Sequence, residues 1–416
     1  MKAIRCVAWR TSRPSQQQHP LAGPQRALLS RSYATHPSLA ENDSFAARLR
    51  EEMLARPPAW IEDDLSRTRS QLLNLALADY LPDSAKDSQN RKGLAKGDGA
   101  VHMPPGHHLV YFPPMLTESE LLPDGTDPKH SPGPGFSRRL WAGGSIEFGS
   151  DLRKPDGEIF SETTTTDDGL RLVEKGRVCG CHESIADVTV RGQPGKEKVY
   201  VDLLREYSQF DLRKLGNVTP AERKLYVNIT ERRTLVFLRD EEVEVDVAKA
   251  QNQTPGNSSS SSTRSAVRAP APHKPDYSFE LTPSRHLLFH FSALSHNAHR
   301  IHLDREYCRT HEGHRDLLVH GPLSLVLMLT ALVGATGGPV GAGRRRHWIK
   351  SIDYRNLAPL YVGETMRVCV RRVPKADTSI TSAKATPSVD SWDIWIEGPD
   401  GGRAVKASAI TSSREK

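Results

Sequence analysis

The chain has 416 residues, 37% of them hydrophobic, and a formal net charge of +7. That length accommodates two domains with cores of their own, and a mean hydropathy of −0.54 assigns much of the rest to polar loops. Between Met1 and Ala40, Lys2, Arg5, Arg10, Arg13, Arg26 and Arg31 stand without any Asp or Glu, so the remainder is close to neutral and gives no electrostatic basis for nucleic-acid or bulk membrane binding.

The opening segment is Arg-rich, Ser-containing and acid-free, the composition of a mitochondrial transit peptide. Arg31-Ser32-Tyr33-Ala34 resembles a processing site cut after Tyr33, which predicts a leader over residues 1–33 and a matrix location. No apolar run is long enough to span a bilayer, so stable membrane insertion is not expected. Cys6, Cys179, Cys181, Cys308 and Cys369 make an odd, sparse set, unlike a disulfide framework. Cys179-Gly180-Cys181-His182 lacks the second Cys/His pair of a four-ligand zinc site, so buried strand cysteines and no metal are expected.

The predicted elements begin with a helix from Phe45 to Ala59, carrying Phe45, Leu49, Met53 and Leu54 on one side and stopped by Pro57-Pro58. A second helix is expected from Asp64 to Tyr80. Ser84 to His108 is polar, Gly-rich and aperiodic, and reads as an exposed insertion. Apolar residues return at Leu109-Val110-Tyr111-Phe112. After a Pro/Gly-rich passage from Pro123 to Gly135, strand-like runs follow at Ile146–Phe148, Leu170–Cys181, Ile185–Val190 and Val199–Tyr207. Gln251 to Pro275, with its unbroken Ser258–Ser262 run, is a linker by composition. It divides a first domain at 44–250 from a second at 276–416.

In the second domain, strand and turn material from Tyr277 to Ser295 ends in the apolar lead-in Leu287-Leu288-Phe289-His290-Phe291. A short helix is expected around Asp304–His311 with Asp304 as its N-cap. Pro322 to Ala335 predicts a helix apolar on nearly every side, which must be wrapped rather than merely seated. Strands follow at Trp348–Val373 and Ser391–Ser412, separated by a polar insertion at Thr378–Val389. One buried helix inside a curled antiparallel sheet makes the fold class α+β.

Chemistry concentrates in Phe291-Ser292-Ala293-Leu294-Ser295-His296-Asn297-Ala298-His299-Arg300-Ile301-His302. Imidazoles move protons near neutral pH, and Asn297 and His302 reach one small volume if the chain turns between them. Leu318-Val319-His320-Gly321-Pro322 then starts the apolar helix. Pro after Gly leaves backbone N–H groups free at the helix N-terminus, suited to an oxygen that gains negative charge.

These strings resemble the R-specific enoyl-thioester hydratases of the MaoC-like hotdog family. The branch resembled contains mitochondrial 3-hydroxyacyl-thioester dehydratase and mesaconyl/itaconyl-CoA hydratases. Tyr354-Arg355-Asn356-Leu357-Ala358-Pro359-Leu360 and Arg138-Arg139-Leu140-Trp141-Ala142-Gly143-Gly144 extend the likeness. The resemblance implies a double hotdog with its site in the second half, the first half being non-catalytic. It puts the catalytic His on His302 and the oxyanion-hole Gly on Gly321. The family's catalytic Asp falls on Asn297, which cannot accept a proton and would hold a hydroxyl or water. His299 and Arg300 are the expected substrate-binding residues. His296 and His320 are expected to be positional or surface residues.

The implied activity is reversible water elimination from a (3R)-3-hydroxyacyl thioester of acyl carrier protein or CoA, in mitochondrial type II fatty-acid synthesis. It requires no cofactor and no nucleic acid, and homodimer formation is compatible with it. An itaconyl- or mesaconyl-CoA hydratase shares the motif, with Arg300 or the Arg344-Arg345-Arg346 run pairing a distal carboxylate. An inactive hotdog that binds acyl thioesters or carrier protein is the alternative from another class.

Overall fold

A computed structural model describes residues 39–83, 101–149, 170–172, 177–211, 227–240, 271, 273–337, 347–374 and 388–413. The expected leader over 1–33, the 84–100 part of the expected insertion and almost all of the expected linker lie outside these residues, as does Arg344-Arg345-Arg346.

Ten strands form one antiparallel sheet. In chain order they are β1 (Ala59–Asp63), β3 (Arg138–Phe148), β5 (Arg177–Arg191), β6 (Lys198–Asp211), β7 (Val227–Leu238), β8 (Tyr277–Leu281), β9 (His347–Asn356), β10 (Met366–Arg372), β11 (Ser388–Glu397) and β12 (Arg403–Ser413). Their spatial order is β1-β5-β6-β7-β3-β9-β12-β11-β10-β8, so residues 59–238 build one half and residues 277–413 the other. The short strands β2 (Val101–His102) and β4 (Arg171–Leu172) pair separately. The helices are α1 (Leu39–Leu54), α2 (Arg67–Leu77), α3 (Arg285–Ser295), α4 (Arg305–Thr310) and α5 (Gly321–Ala335).

α5 is the expected wrapped helix. Leu323, Leu325, Val326, Leu327, Met328, Leu329, Ala331 and Leu332 are all at 0% exposure; a helix this apolar is stable only when enclosed. β8, β10 and β11 pack against it, which is the hotdog arrangement.

The first half fills its concave face differently. Val199, Val201, Leu203 and Tyr207 of β6 share a face by their period of two. Val199, Val201 and Leu203 pack with Leu49 and Met53 of α1, whereas Tyr207 joins the main core, its ring 5.2 Å from that of Phe112. Arg205 lies on this face between them, buried, with Nη2 donating to the Phe112 carbonyl at 3.1 Å.

Three expectations need correction. Leu287–Phe291 is not strand or turn material but the middle of α3, because Ser284 caps the helix by accepting the Leu287 N–H at 3.2 Å. Leu287, Leu288, Phe291 and Ser292 then bury one helical stripe. The end of the 84–108 segment is not exposed: Met103, His107 and His108 are buried. Gly106, at φ +88, turns the chain so closely under α5 that an added Cβ would stand 3.1 Å from Leu329. The first helix stops at Leu54, and Ala59 begins β1. Cys179 and Cys181 are buried free thiols in β5, as expected.

The halves join where β3 pairs β9, from Gly143↔Arg355 to Glu147↔Ser351. Trp141 Nε1 donates to Tyr354 Oη at 2.9 Å and Asn356 Nδ2 to the Trp141 carbonyl at 2.7 Å. Arg138 Nε donates to buried Glu312 at 2.9 Å, a further bond across the halves. At the seam, a Cβ on Gly144 would lie 1.9 Å from the Arg232 carbonyl oxygen. Gly144→Ala therefore forces backbone movement between β3 and β7 and should cost more than about 2 kcal/mol. Urea denaturation checks this; an unchanged midpoint contradicts it.

Candidate functional site

The site loop is shaped by the end of α3. His296 caps that helix in the left-handed conformation at φ 51. The chain then reverses, with Asn297 N–H donating to the Ser292 carbonyl at 2.9 Å and Asn297 Oδ1 accepting the His299 N–H at 3.0 Å. A 3-10 turn over Arg300–His302 carries His302 indoors, to 7% exposure.

The Leu318 carbonyl lies 2.8 Å from His302 Nδ1. A carbonyl only accepts, so Nδ1 bears the hydrogen and Nε2 keeps its lone pair. Among the described residues Nε2 makes no hydrogen bond. Burial pushes the His302 pKa down to about 4, against the opposing bond to Leu318 and aided by the Arg139 guanidinium. The ring is therefore neutral over the physiological range, a proton acceptor at rest.

His320 stacks on His302 with ring centroids 3.6 Å apart, and its Nε2 hydrogen-bonds Ser292 Oγ at 2.8 Å. It immediately precedes Gly321, so the stack holds the His302 ring beside the tip of α5. The Gly321 N–H has no intrahelical acceptor and Pro322 has no N–H at all. A Cβ on Gly321 would stand 3.3 Å from both Asn356 Nδ2 and the Trp141 ring. His299 meets His302 edge to face at 5.7 Å. Burial holds His299 and His320 well below the usual histidine pKa; Arg139 and His302 add to this at His299, and His302 and His299 at His320.

A cavity of about 260 Å³ adjoins this group, lined on one side by Asn297, Ala298 and Pro322 of the second half. On the other side, Arg139, Trp141, Arg205 and Arg233 come from first-half strands. His302, His299 and Gly321 are not among its lining residues, although Ala298 and Pro322, the chain neighbours of His299 and Gly321, are. Arg205 pairs with Glu183 at 3.2 Å and Arg233 with Glu231 at 2.6 Å. Arg139 is different: its buried Nη1 has no hydrogen-bond acceptor. An unmatched buried donor is costly, and a substrate oxygen in the cavity would relieve it. Asp127, His130 and Glu183 bring one ligand atom each within 4.8 Å of one another, but the Arg205 guanidinium already neutralises Glu183.

The structure thus brings His302, His299 and Gly321 together and sets Asn297 at the cavity. It does not bring Arg300 there. Arg300 pairs with Asp304 at 2.6 Å and lies 4.3 Å over the Tyr307 ring, because the spacing of four from an N-cap aspartate favours that local pair. Asp304 is the expected cap, accepting the Tyr307 N–H at 3.0 Å. His320, expected to be a positional or surface residue, is fully buried against His302.

Sequence reasoning missed two charged residues of the first half. Arg139 was readable only as part of a strand, and Asp124 only as part of a turn. Asp124 is buried with Oδ2 3.6 Å from His299 Nε2. Its backbone carbonyl accepts the Arg300 N–H at 2.9 Å.

Comparisons with known proteins agree with this fold. The sequence profile of the family described as hydroxyacyl-thioester dehydratase type 2 matches residues 106–362. The chain is 24% identical over 321 residues to the mitochondrial hydroxyacyl-thioester dehydratase type 2 of Schizosaccharomyces pombe, covering 74% of this chain and 89% of that protein. It is 35% identical over 128 residues to the mesaconyl-C(4)-CoA hydratase of Chloroflexus aurantiacus, covering 31% of this chain and 37% of the relative. Among solved structures, a MaoC-like dehydratase from Phytophthora capsici superposes with a TM-score of 0.50 at 14% identity, over 88% of this chain and 99% of that one. Another MaoC-like dehydratase gives 0.51 at 15% identity, over 87% and 100%; at such identities these two establish the double-hotdog fold alone. With the family profile spanning well over half of its length, the chain belongs to the hydroxyacyl-thioester dehydratase type 2 family, hydro-lyases on a double-hotdog frame.

Proposed function

We propose that this protein is a (3R)-3-hydroxyacyl-thioester dehydratase, equally an enoyl-thioester hydratase, of mitochondrial type II fatty-acid synthesis. Its substrate is an acyl chain carried as a thioester on acyl carrier protein or CoA. The observation that carries the reading is His302: neutral, its Nδ1 hydrogen committed to Leu318, its Nε2 unbonded, and its ring held at the N-terminus of a buried helix. Membership of the family supports the reaction class. The relatives named as mitochondrial support the organelle, and the acid-free N-terminal sequence is consistent with a matrix leader.

The residues divide the work as follows. His302 Nε2 takes the proton from C2 of the substrate while the C2–C3 double bond forms. The C3–O bond breaks with its electron pair on oxygen, and that oxygen takes the proton back from His302 to leave as water. His302 is neutral at both ends of the cycle. The Gly321 N–H, at the positive end of the helix dipole, stabilises the enolate-like thioester oxygen. Asn297 holds the 3-hydroxyl or water by hydrogen bonds without exchanging protons. His299 lines up beside His302, and the first half provides the opposite wall of the acyl cavity.

Two outcomes are expected. In the full-length protein, His302→Ala should lower kcat for hydration of crotonyl-CoA by at least about a hundredfold; a rate within threefold of wild type removes the assignment. If only a dicarboxylic enoyl-CoA is turned over, the fatty-acid reading gives way to the mesaconyl- or itaconyl-type one. The second outcome concerns pH. A histidine whose pKa falls from 6.5 to about 4 on folding costs stability when the unfolded chain protonates first. His108 and His314 are lowered to about 4 by burial in the same way. Thermal stability should therefore fall as pH drops from about 6.5 toward 4, by roughly 3 kcal/mol per histidine at most. Across about pH 6 to 8, kcat/KM should stay level; an activity limb centred near 6.5 would contradict a buried neutral His302.

A further inference from the structure

The cavity-side loop has a property that the reaction, as described, does not use. Its imidazoles face one cation. Arg139 reaches toward them from β3 and disfavours a positive charge on both His299 and His302. Yet His302 must carry such a charge while it holds the substrate proton. Asn297 supplies no charge to offset it.

The turn from Leu122 to Thr126 supplies the missing group. Gly125 N–H donates to the Leu122 carbonyl at 2.8 Å, and Asp124 Oδ1 accepts both the Thr126 N–H at 3.0 Å and Thr126 Oγ1 at 2.7 Å. These bonds leave Oδ2 aimed at His299 Nε2, 3.6 Å away, too long for a hydrogen bond. His299 Nε2 is buried and, among the described residues, has no hydrogen-bond partner. Among the described residues no other carboxylate comes within 4 Å of His299, His302 or His320.

The turn is also locked in place. Gly125, at φ +83, lies so near the site loop that a Cβ would stand 2.2 Å from the Ala298 carbonyl oxygen. The Asp124 carbonyl accepts the Arg300 N–H at 2.9 Å. A buried carboxylate is thus clamped, with one oxygen unengaged, against the imidazole that borders His302.

We infer that Asp124, carried by the first half of the chain, is a positioning residue for the reaction: it fixes His299 and offsets the charge of Arg139 while His302 holds the substrate proton. The groups facing this histidine pair are Asp124 of the turn, Arg139 of β3 and His320 at the head of α5. Closing the 3.6 Å gap by about half an ångström makes an Nε2–H···Oδ2 hydrogen bond. Such a bond selects the His299 tautomer and holds its edge against the His302 ring, as an orienting carboxylate does in other histidine systems.

The inference rests on the dehydratase reading, and the test separates the two. Full-length wild type, His302→Ala, Asp124→Asn and the double variant Asp124→Asn/Asn297→Asp are assayed for crotonyl-CoA hydration, with melting temperatures measured in parallel. Asparagine keeps the Oδ1 acceptor of the turn, so the clamp is retained. Asp124→Asn is expected to lower kcat by about tenfold or more with KM within about threefold. Its melting temperature should stay close to wild type. The double variant, which restores a carboxylate beside the histidines from the other side, should recover most of the lost kcat. A kcat for Asp124→Asn within twofold of wild type overturns the inference. So does a loss that the second substitution fails to recover, or one accompanied by a fallen melting temperature, since those belong to the clamp alone. Full activity in His302→Ala, or none in wild type, sinks the dehydratase reading itself whatever Asp124 does.

Discussion

Everything at the site depends on one short strand pairing. Where β3 meets β9, the chain must bring two backbones together and at the same time deliver Arg139 and Trp141 to the cavity. Gly143 makes the approach to β9 sterically feasible, Gly144 does the same toward β7, and the bulge between Trp141 and Gly143 re-aims the strand just before them. Trp141 then touches three things at once: the Tyr354 hydroxyl, the Asn356 amide and the space above Gly321. The pairing register thereby fixes the distance from the first half to the tip of α5. A slip of one residue would exchange every inward side chain for an outward one.

The two halves divide their labour by what fills their concave faces. In the second half α5 occupies the groove, and its apolar surface leaves room for chemistry only at its N-terminus. In the first half, α1 and the turn His107–Val110 fill the ends of the groove, and polar side chains stand between them. Glu231, Tyr207, Arg233, Arg205 and Glu183 form a buried network in which carboxylates meet guanidinium groups. Such networks contribute little net stability; this one holds the cavity floor open and rigid, with Arg139 left unmatched at its edge.

Much of this was legible in the sequence, for reasons that differ from element to element. The uniform apolarity of Leu323–Val333 announced an enclosed helix, because no other environment accommodates it. Asp304 announced a cap through its position before a short helix. The crowding of histidines around His302 announced a cluster, and the His299, His302 and His320 rings do meet. Leu287–Phe291 misled because a short apolar run has no period of its own, and only the Ser284 cap and the packing stripe reveal a helix. His107 and His108 looked like surface residues because polarity, not partner, is what sequence displays; Ser70 Oγ, 2.6 Å from His107 Nδ1, is remote in the chain. Arg300 looked available because its partner lies four residues onward, at the cap of the next helix. Asp124 was invisible for a related reason: an aspartate before glycine is an ordinary turn signal, and its role arises only from contact with a loop far along the chain.

The clamp between Gly125 and Ala298 has a consequence for how this enzyme is made. Neither half owns the proposed reaction centre, since the His302 loop sits on one and the charged residues Asp124 and Arg139 on the other. The first half alone lacks both the His302 loop and the tip of α5, so the groove is complete only where β9 pairs with β3. Competence for turnover, on the proposed reading, is thus a property of the joined halves.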